Sequence, residues 1–153
     1  MVYQYDGIDP ETGFYRVVDI NEDGRYNSED RQVIINRGRK HYGGLGNHLR
    51  YKGVSLQFLF EYVEQNNLGH VFGAPSPGRY GNGPVDFLET WQGPGNNAHI
   101  QKLSQSSAAR TAFSRAASSS FGIEDASFLR LKNVSLSYTL PKAVLQHIHI
   151  SAL

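Results

Sequence analysis

The stretch Val54–Glu64, VSLQFLFEYVE, decides the fold. Apolar side chains fall on one parity at Val54, Leu56, Phe58, Phe60 and Tyr62, and the other parity holds Ser55, Gln57, Leu59, Glu61 and Val63. A period of two residues predicts a β-strand with one apolar face. The run is also as long as the roughly 9–11 residues that a tilted strand needs to cross a bilayer.

Strand patterns continue on both sides of this run. Upstream, KHYGGLGNHLRY at residues 40–51 places Leu45, Leu49 and Tyr51 on one parity, and Lys52-Gly53 predicts a tight turn. Downstream, Ser127–Thr139 reads SFLRLKNVSLSYT, with an apolar parity at Val134, Leu136 and Tyr138. Strict alternation would give Arg130 and Lys132 that same parity, where each would cost about 2–4 kcal/mol at a bilayer midplane.

The composition excludes several classes of protein. The 153 residues carry a net charge of +1, so we expect no nucleic acid or other polyelectrolyte as a partner. There is no Cys for a disulfide or for thiol chemistry. Residues 1–13, MVYQYDGIDPETG, lack the charged start and apolar run of a signal peptide.

Long and short connections alternate along the chain. A long segment precedes residue 40, a tight turn follows residue 51, and residues 65–126 form a very long connection with little regular pattern. Short helices are compatible with residues 85–91 and 108–117, but the Ser-rich segment 104–120 reads as a lightly structured loop. After Pro141, residues 142–150 predict a helical turn and a last strand. Membrane β-barrels alternate short turns with long external loops in this way.

Residues 19–30, DINEDGRYNSED, have the ligand spacing of an EF-hand-type calcium loop. Counting from the first residue, oxygen ligands fall at positions 1, 3, 5, 7, 9 and 12, which are Asp19, Asn21, Asp23, Arg25 through its carbonyl, Asn27 and Asp30. Gly24 at position 6 permits the sharp bend. Because position 12 is Asp and not Glu, we expect weak binding of a structural Ca²⁺; the alternative is an acidic turn without metal.

Aromatic side chains in the long connection suggest a ligand contact. Trp91 and Tyr80, with Phe87 nearby, could stack on a sugar ring, whereas the alternative is that Trp91 packs its own loop. The six His residues show no metal-ligand spacing, and no nucleophile motif is present. We therefore expect no enzymatic activity.

Three segments together resemble a known family. They are YDGIDPETGFYRVVDINEDGRYNSEDRQVI, YGGLGNHLRYKGVSLQFLFEY and FGIEDASFLRLKNVSLSYTLPKAVLQ, in that order. They are similar to the C-terminal region of SusC/RagA-type TonB-dependent outer-membrane transporters. The most specific positions are Glu124, Asp125, Ser127, Leu129, Arg130, Leu131, Asn133, Leu136, Tyr138 and Pro141. Departures are Tyr26, Ala126 and Phe128.

The resemblance implies a large β-barrel in the cell outer membrane with an N-terminal plug. Such a barrel works with a SusD-like surface lipoprotein and imports oligosaccharides or peptides with energy passed through TonB. The plug and the TonB-contacting region have no counterpart in residues 1–153, so we expect this chain to be one part of a barrel that does not transport alone.

We therefore predict an all-β fold, an antiparallel transmembrane β-barrel fragment with long extracellular loops. Residues 1–153 are the incomplete C-terminal portion, with the calcium loop at 19–30 and the long extracellular loop at 65–126. Arg50, Gln57, Glu61, Asn133 and Ser135 would face the barrel interior. The alternative is a soluble, secreted, calcium-stabilised β-sandwich that binds carbohydrate.

Overall fold

The computed structural model describes residues 1–141. Its regular elements are β1 (Tyr5–Ile8), β2 (Tyr15–Val17), β3 (Arg39–Tyr51), β4 (Val54–Leu68), α1 (Ser107–Ala117), β5 (Ile123–Asp125) and β6 (Phe128–Tyr138), with 3₁₀ turns at His70–Gly73, Val85–Glu89 and Ser120–Gly122. The chain forms two compact units: residues 1–38 with 66–126, and residues 39–65 with the segment from 127 onward. The helical turn and strand expected at 142–150 lie outside the described residues.

The second unit is an antiparallel sheet with β4 in its centre. β3 pairs with β4 from Arg39↔Gln65 to Tyr51↔Val54, and β6 pairs with the other edge of β4 from Val54↔Tyr138 to Val63↔Phe128. Lys52 and Gly53 both have positive φ, 45° and 85°, which is the geometry of a two-residue type I′ turn. The predicted strands, their order and the turn are confirmed, and the fold is mostly antiparallel β. Within residues 1–141 the sheet does not close into a barrel.

A β-bulge in β6 changes which of its residues share the apolar face. Asn133 pairs with Leu59 but Leu131 pairs with Phe60, so Lys132 is an extra residue in the ladder. The bulge reverses the parity beyond it, and Leu129 and Leu131 join the apolar side chains. The prediction that Arg130 and Lys132 share the apolar parity is therefore wrong. Arg130 pairs with Glu61, and the Lys132 ammonium lies 3.2 Å from the Glu61 carboxylate.

The apolar face of this sheet is largely exposed. The exposed fraction is 64% for Leu45, 72% for Leu136 and 58% for Val134. Strands β3, β4 and β6 all contribute to this face, and their cross-strand pairs align the apolar side chains. The aligned residues are Leu45, Leu49, Tyr51, Val54, Leu56, Phe58, Phe60, Tyr62, Leu129, Leu131, Val134, Leu136 and Tyr138. In β3 this face also carries Gly43 and Asn47, opposite Tyr62 and Phe58. An apolar face of this extent marks a surface that contacts lipid or protein.

The first unit has its own hydrophobic core. Tyr15 of β2, Val71 and Phe72, Ile100, and one side of α1 are buried together. The Phe72 and Phe113 rings lie 5.0 Å apart, and Tyr5 stacks on Phe121 at 4.3 Å. β1 and β2 form a short hairpin whose side chains close this core.

The Ser-rich segment is not a lightly structured loop, which corrects that part of the sequence interpretation. Residues 107–117 form α1, whose N-cap Ser106 accepts a hydrogen bond from the Ala109 N–H at 3.1 Å. Its buried positions are Ala109, Ala112, Phe113 and Ala116. Their spacing of three and four residues places them on one helical face. Short helical structure near 85–91 and at 108–117 is confirmed.

A fully buried glutamine joins α1 to the β1–β2 hairpin. The Gln101 side-chain nitrogen donates to the Ala109 carbonyl at 2.9 Å, and its oxygen accepts from the Tyr15 N–H at 3.3 Å. Buried amides without partners are costly, so these bonds fix the orientation of the helix relative to β2.

Phe113→Ala should lower the free energy of unfolding of the first unit by about 3–5 kcal/mol, because the truncated ring leaves a cavity among Tyr15, Phe72 and Phe121. The only Trp in the chain, Trp91, lies in this unit, so urea unfolding followed by tryptophan fluorescence measures it. Leu88→Ala is the matched control, because Leu88 is 81% exposed. Equal unfolding midpoints for the two variants would contradict the assigned core.

Candidate functional site

The loop 19–30 adopts a turn closed by its own oxygen side chains. The Gly24 N–H donates to the Asp19 carboxylate at 2.8 Å, and the Arg25 N–H donates to the Asp23 carboxylate at 2.7 Å. Gly24 has a φ of 74°, in the left-handed region that glycine adopts without strain. The side chain of Asn27 accepts from the Glu29 N–H at 2.6 Å.

Asp30, at the last ligand position, is fully buried. One of its oxygens accepts from the Ile20 N–H and the other from the Asn27 N–H, both at 2.9 Å. The Asn27 and Ile20 backbone hydrogen bonds lower the pKa of the Asp30 carboxyl below its ordinary value. The lowered pKa keeps Asp30 charged at neutral pH, and its two backbone hydrogen bonds close the loop.

The fit of a cation can be tested on Asp19. Its Oδ1 atom is buried and has no hydrogen-bond partner among the described residues, whereas Oδ2 is bonded to Gly24. A desolvated carboxylate oxygen without a partner is unfavourable, and a hard cation such as Ca²⁺ would satisfy it. Within residues 1–141 no three side chains of His, Cys, Asp or Glu are grouped as a metal site. A cation here would therefore also need the amide oxygens of Asn21 and Asn27 and the Arg25 carbonyl.

The loop 19–30 contacts the helix through a cation–π pair. The guanidinium of Arg115, near the end of α1, lies 3.9 Å from the centre of the Tyr26 ring. The pair joins the middle of the loop to the buried core beneath α1.

The two aromatic residues predicted to bind a ligand lie apart. Tyr80 is 93% exposed. Trp91 is partly buried and lines a cleft of about 560 Å³ together with Tyr5 and His99, whereas Tyr80 does not line it. Burial raises the pKa of Tyr5 to about 12, so its hydroxyl is protonated at neutral pH. Sequence reasoning found Trp91 but missed Tyr5, which comes from the remote β1–β2 hairpin, and His99, which lies further along the same segment as Trp91.

A histidine flanked by two carboxylates was also missed. The His70 Nε2 atom lies 3.1 Å from the Asp86 carboxylate, and its Nδ1 atom lies 3.6 Å from that of Glu124. Hydrogen bonding to Asp86, and next to Glu124, raises the pKa of His70 above its ordinary value, and the bond to His70 lowers the pKa of Asp86. These residues are too far apart in the sequence for spacing to reveal the group.

None of the helices in residues 1–141 is long and apolar enough to cross a membrane. Comparisons with known protein families and with curated proteins found no match. The functional interpretation therefore depends on the residues and contacts of this chain.

The His70 group should make the first unit more stable on the acid side of neutrality. A raised folded-state pKa means that the stabilisation by His70 is complete below its unfolded pKa of about 6.5 and is lost as the pH rises through the folded value. The folded-state pKa of Asp86 is lowered, so the stabilisation that Asp86 contributes is lost as the pH falls through that folded-state pKa. Asp86→Asn should therefore lower the His70 pKa measured by NMR titration of the imidazole.

Glu89→Gln is the control for this titration. Glu89 lies in the same 3₁₀ turn, Val85–Glu89, but makes no ion pair with His70. An unchanged His70 pKa in Asp86→Asn, or an equal decrease in both variants, would contradict the pairing.

Proposed function

We propose that the chain forms part of the barrel wall of a SusC/RagA-type TonB-dependent outer-membrane transporter, in a non-enzymatic role. The observation that carries the proposal is the exposed apolar face of the β3–β4–β6 sheet, opposite a polar face. Barrel strands in a membrane alternate in this manner, apolar toward lipid and polar toward the interior.

The dimensions of the sheet support a lipid-facing role. From Val54 to Tyr62 the central strand rises roughly 26 Å at about 3.3 Å per residue. A strand tilt of about 40° reduces this to roughly 20 Å along the membrane normal, close to the approximately 25 Å apolar band of outer-membrane barrels. Tyr51 and Tyr138 both pair near Val54 at one end, and Tyr62 lies at the other, as in aromatic girdles.

The opposite face suits a water-filled interior. The Arg50 guanidinium donates to the Ser55 hydroxyl at 3.2 Å, and Glu61 pairs with Lys132. Gln57 aligns with Ser135 between β4 and β6. Leu59, a large apolar side chain in the middle of this face, lies beside Gly44 and Gly46.

The proposal assigns partners by the same logic. The apolar face contacts outer-membrane lipid, and residues 65–126 lie outside the cell, where they contact a SusD-like surface lipoprotein or the oligosaccharide or peptide substrate. TonB would supply the energy to the transporter of which this sheet is proposed to be part. The start of β3, the end of β4 and the start of β6 all lie at the end of the sheet opposite the Lys52-Gly53 turn. The long connections therefore leave the sheet at one end, as in an outer-membrane barrel.

The second candidate is the soluble, secreted β-sandwich that binds carbohydrate. The aromatic cleft at Trp91 is compatible with both candidates. A β-sandwich, however, buries the inner faces of its two sheets. The exposed fractions of Leu136 and Leu45 favour the barrel.

We also propose that residues 19–30 bind a structural Ca²⁺ through Asp19, Asn21, Asp23, the Arg25 carbonyl, Asn27 and Asp30. The buried, unpartnered oxygen of Asp19 supports the proposal. Neutralising three acidic side chains in one short loop would order the loop against α1 through the Tyr26–Arg115 pair.

The barrel proposal predicts opposite environments for neighbouring side chains. Because the chain has no Cys, single-Cys variants can be labelled with an environment-sensitive fluorophore without background. In outer-membrane-lipid vesicles, labels at Leu136→Cys and Phe58→Cys should be quenched by brominated lipids. Labels at Ser135→Cys and Gln57→Cys, one position away on the polar face, should not be quenched.

Size measurement in buffer provides the second readout for that experiment. The soluble alternative predicts a monomer without detergent and no lipid quenching at any of the four positions. Equal quenching on both faces would also refute the two-faced barrel wall.

The calcium proposal predicts measurable heats on titration. Because position 12 is Asp, the dissociation constant for Ca²⁺ should lie near the 10⁻⁴–10⁻³ M of extracellular modules, with an upper limit of about 1 mM. Asp23→Ala should weaken binding by at least about tenfold, because it removes one charged ligand. Glu11→Ala, an exposed acidic residue outside the loop, is the control. Isothermal titration calorimetry with no heat for the unmodified chain, or with equal heats for Asp23→Ala, would exclude the site.

A further inference from the structure

The cleft beside Trp91 combines aromatic walls with uncharged polar side chains. Its volume of about 560 Å³ is within the range of roughly 300–1,000 Å³ for ligand pockets. Tyr5, Trp91, Asn96, Asn97 and His99 line it, and none of its lining residues is Asp, Glu, Lys or Arg. All of them belong to the first unit.

The segment that forms one wall is fixed at both ends. Thr90 and Ile100 form an isolated β-bridge, and the Trp91 N–H donates to the Ile100 carbonyl at 2.8 Å. The buried Tyr15 hydroxyl donates to the His99 carbonyl at 3.1 Å. The loop is therefore held in its shape before any ligand arrives, which reduces the ordering cost of binding.

Trp91 is held in place and also lines the cleft. A Cβ at Gly13 would overlap the indole ring, so the ring lies directly against the Gly13 backbone. The Lys102 ammonium is 5.7 Å from the ring centre. The two interpretations of Trp91 from the sequence are thus compatible, because a residue that packs its own loop can present the rest of its ring to a ligand.

The polar groups of the cleft have unused hydrogen-bonding capacity. Among the described residues, the side chains of Asn96 and Asn97 and the imidazole of His99 have no hydrogen-bond partner. Each amide offers two donors and one acceptor oxygen. Sugar hydroxyls donate and accept in pairs, and the C–H face of a sugar ring packs on an aromatic plane. Lys102 lies against the Trp91 ring but does not line the cleft, so an acidic sugar or a charged peptide terminus finds no counter-ion among the lining residues.

We infer that this cleft binds a neutral sugar ring of an oligosaccharide, with Trp91 and Tyr5 against the ring and Asn96 and Asn97 hydrogen-bonded to its hydroxyls. The inference deepens the proposed function and rests on it for the role of the sugar as transported substrate. It narrows the substrate from oligosaccharides or peptides to uncharged glycans.

The experiment uses the full chain in detergent micelles and follows the fluorescence of Trp91, the only Trp. Neutral hexasaccharides with gluco, xylo, manno and galacto configuration are titrated separately, together with an oligogalacturonate and a hexapeptide. At least one neutral sugar should give a saturable change and protect Trp91 from acrylamide quenching. The Asn96→Ala/Asn97→Ala variant should bind that sugar about tenfold more weakly, because it loses two hydrogen-bonding side chains.

Asn82→Ala is the matched control, because Asn82 is an exposed asparagine that does not line this cleft. Both variants replace exposed side chains, and the fluorescence spectrum without ligand checks that they fold. No response to any neutral sugar, a response only to the acidic sugar or the peptide, or equal weakening in both variants would overturn the inference. Sugar binding without lipid quenching at Leu136→Cys would refute the barrel and leave the cleft assignment intact.

Discussion

The pairing of β4 on both of its edges is the constraint on which the sheet depends. Because β3 and β6 both pair with β4, the alternation of Val54–Glu64 aligns the apolar parities of its two neighbours. A shift of one residue in either ladder would move a whole row of side chains to the other face. The β3–β4 ladder has one such shift between Arg39 and His41, and the β4–β6 ladder has another at Lys132, which removes two basic residues from the apolar face. The separation of the faces is therefore a property of the register and not only of the composition.

The first unit obeys a different constraint, because its short strands could not be stable alone. The β1–β2 hairpin depends on α1, on Val71 and on the aromatic side chains of Phe72 and Phe121, which come from distant parts of the sequence. The loop 19–30 follows directly after β2, and its Tyr26 contacts Arg115. Loop, helix and cleft are consequently held by the same small core. Because Tyr26 contacts Arg115, a cation that orders residues 19–30 would affect the packing of α1 more directly than the conformation of the Trp91 loop.

The sequence predicted the elements whose periodicity is local. β3, β4, β6 and the Lys52-Gly53 turn follow from alternation and from one glycine. The calcium site at residues 19–30 rests on spacing and stays a prediction. The bulge was not predictable, because it depends on which residue of β4 faces Lys132. The Ser content of residues 104–120 hid α1, although the spacing of Ala109, Ala112, Phe113 and Ala116 was a helical signal. The His70 group and the partners of Trp91 required tertiary structure, because each joins segments that are remote in the chain.

The two proposed functions differ in what must complete the sheet. Within residues 1–141, β3 and β6 each pair only with β4, so the outer edge of each has unpaired N–H and C=O groups. In lipid each unpaired group costs several kcal/mol, and therefore a lipid-facing sheet needs further strands at both edges. In water the edges are tolerated, but the apolar face then needs a second layer to cover it. Gly43 and Asn47 of β3 lie on the apolar face and give such a layer no large apolar side chain to pack on, whereas they do not hinder the pairing of another strand. The composition of the edge strand thus agrees with lateral extension of the sheet more than with coverage of its face.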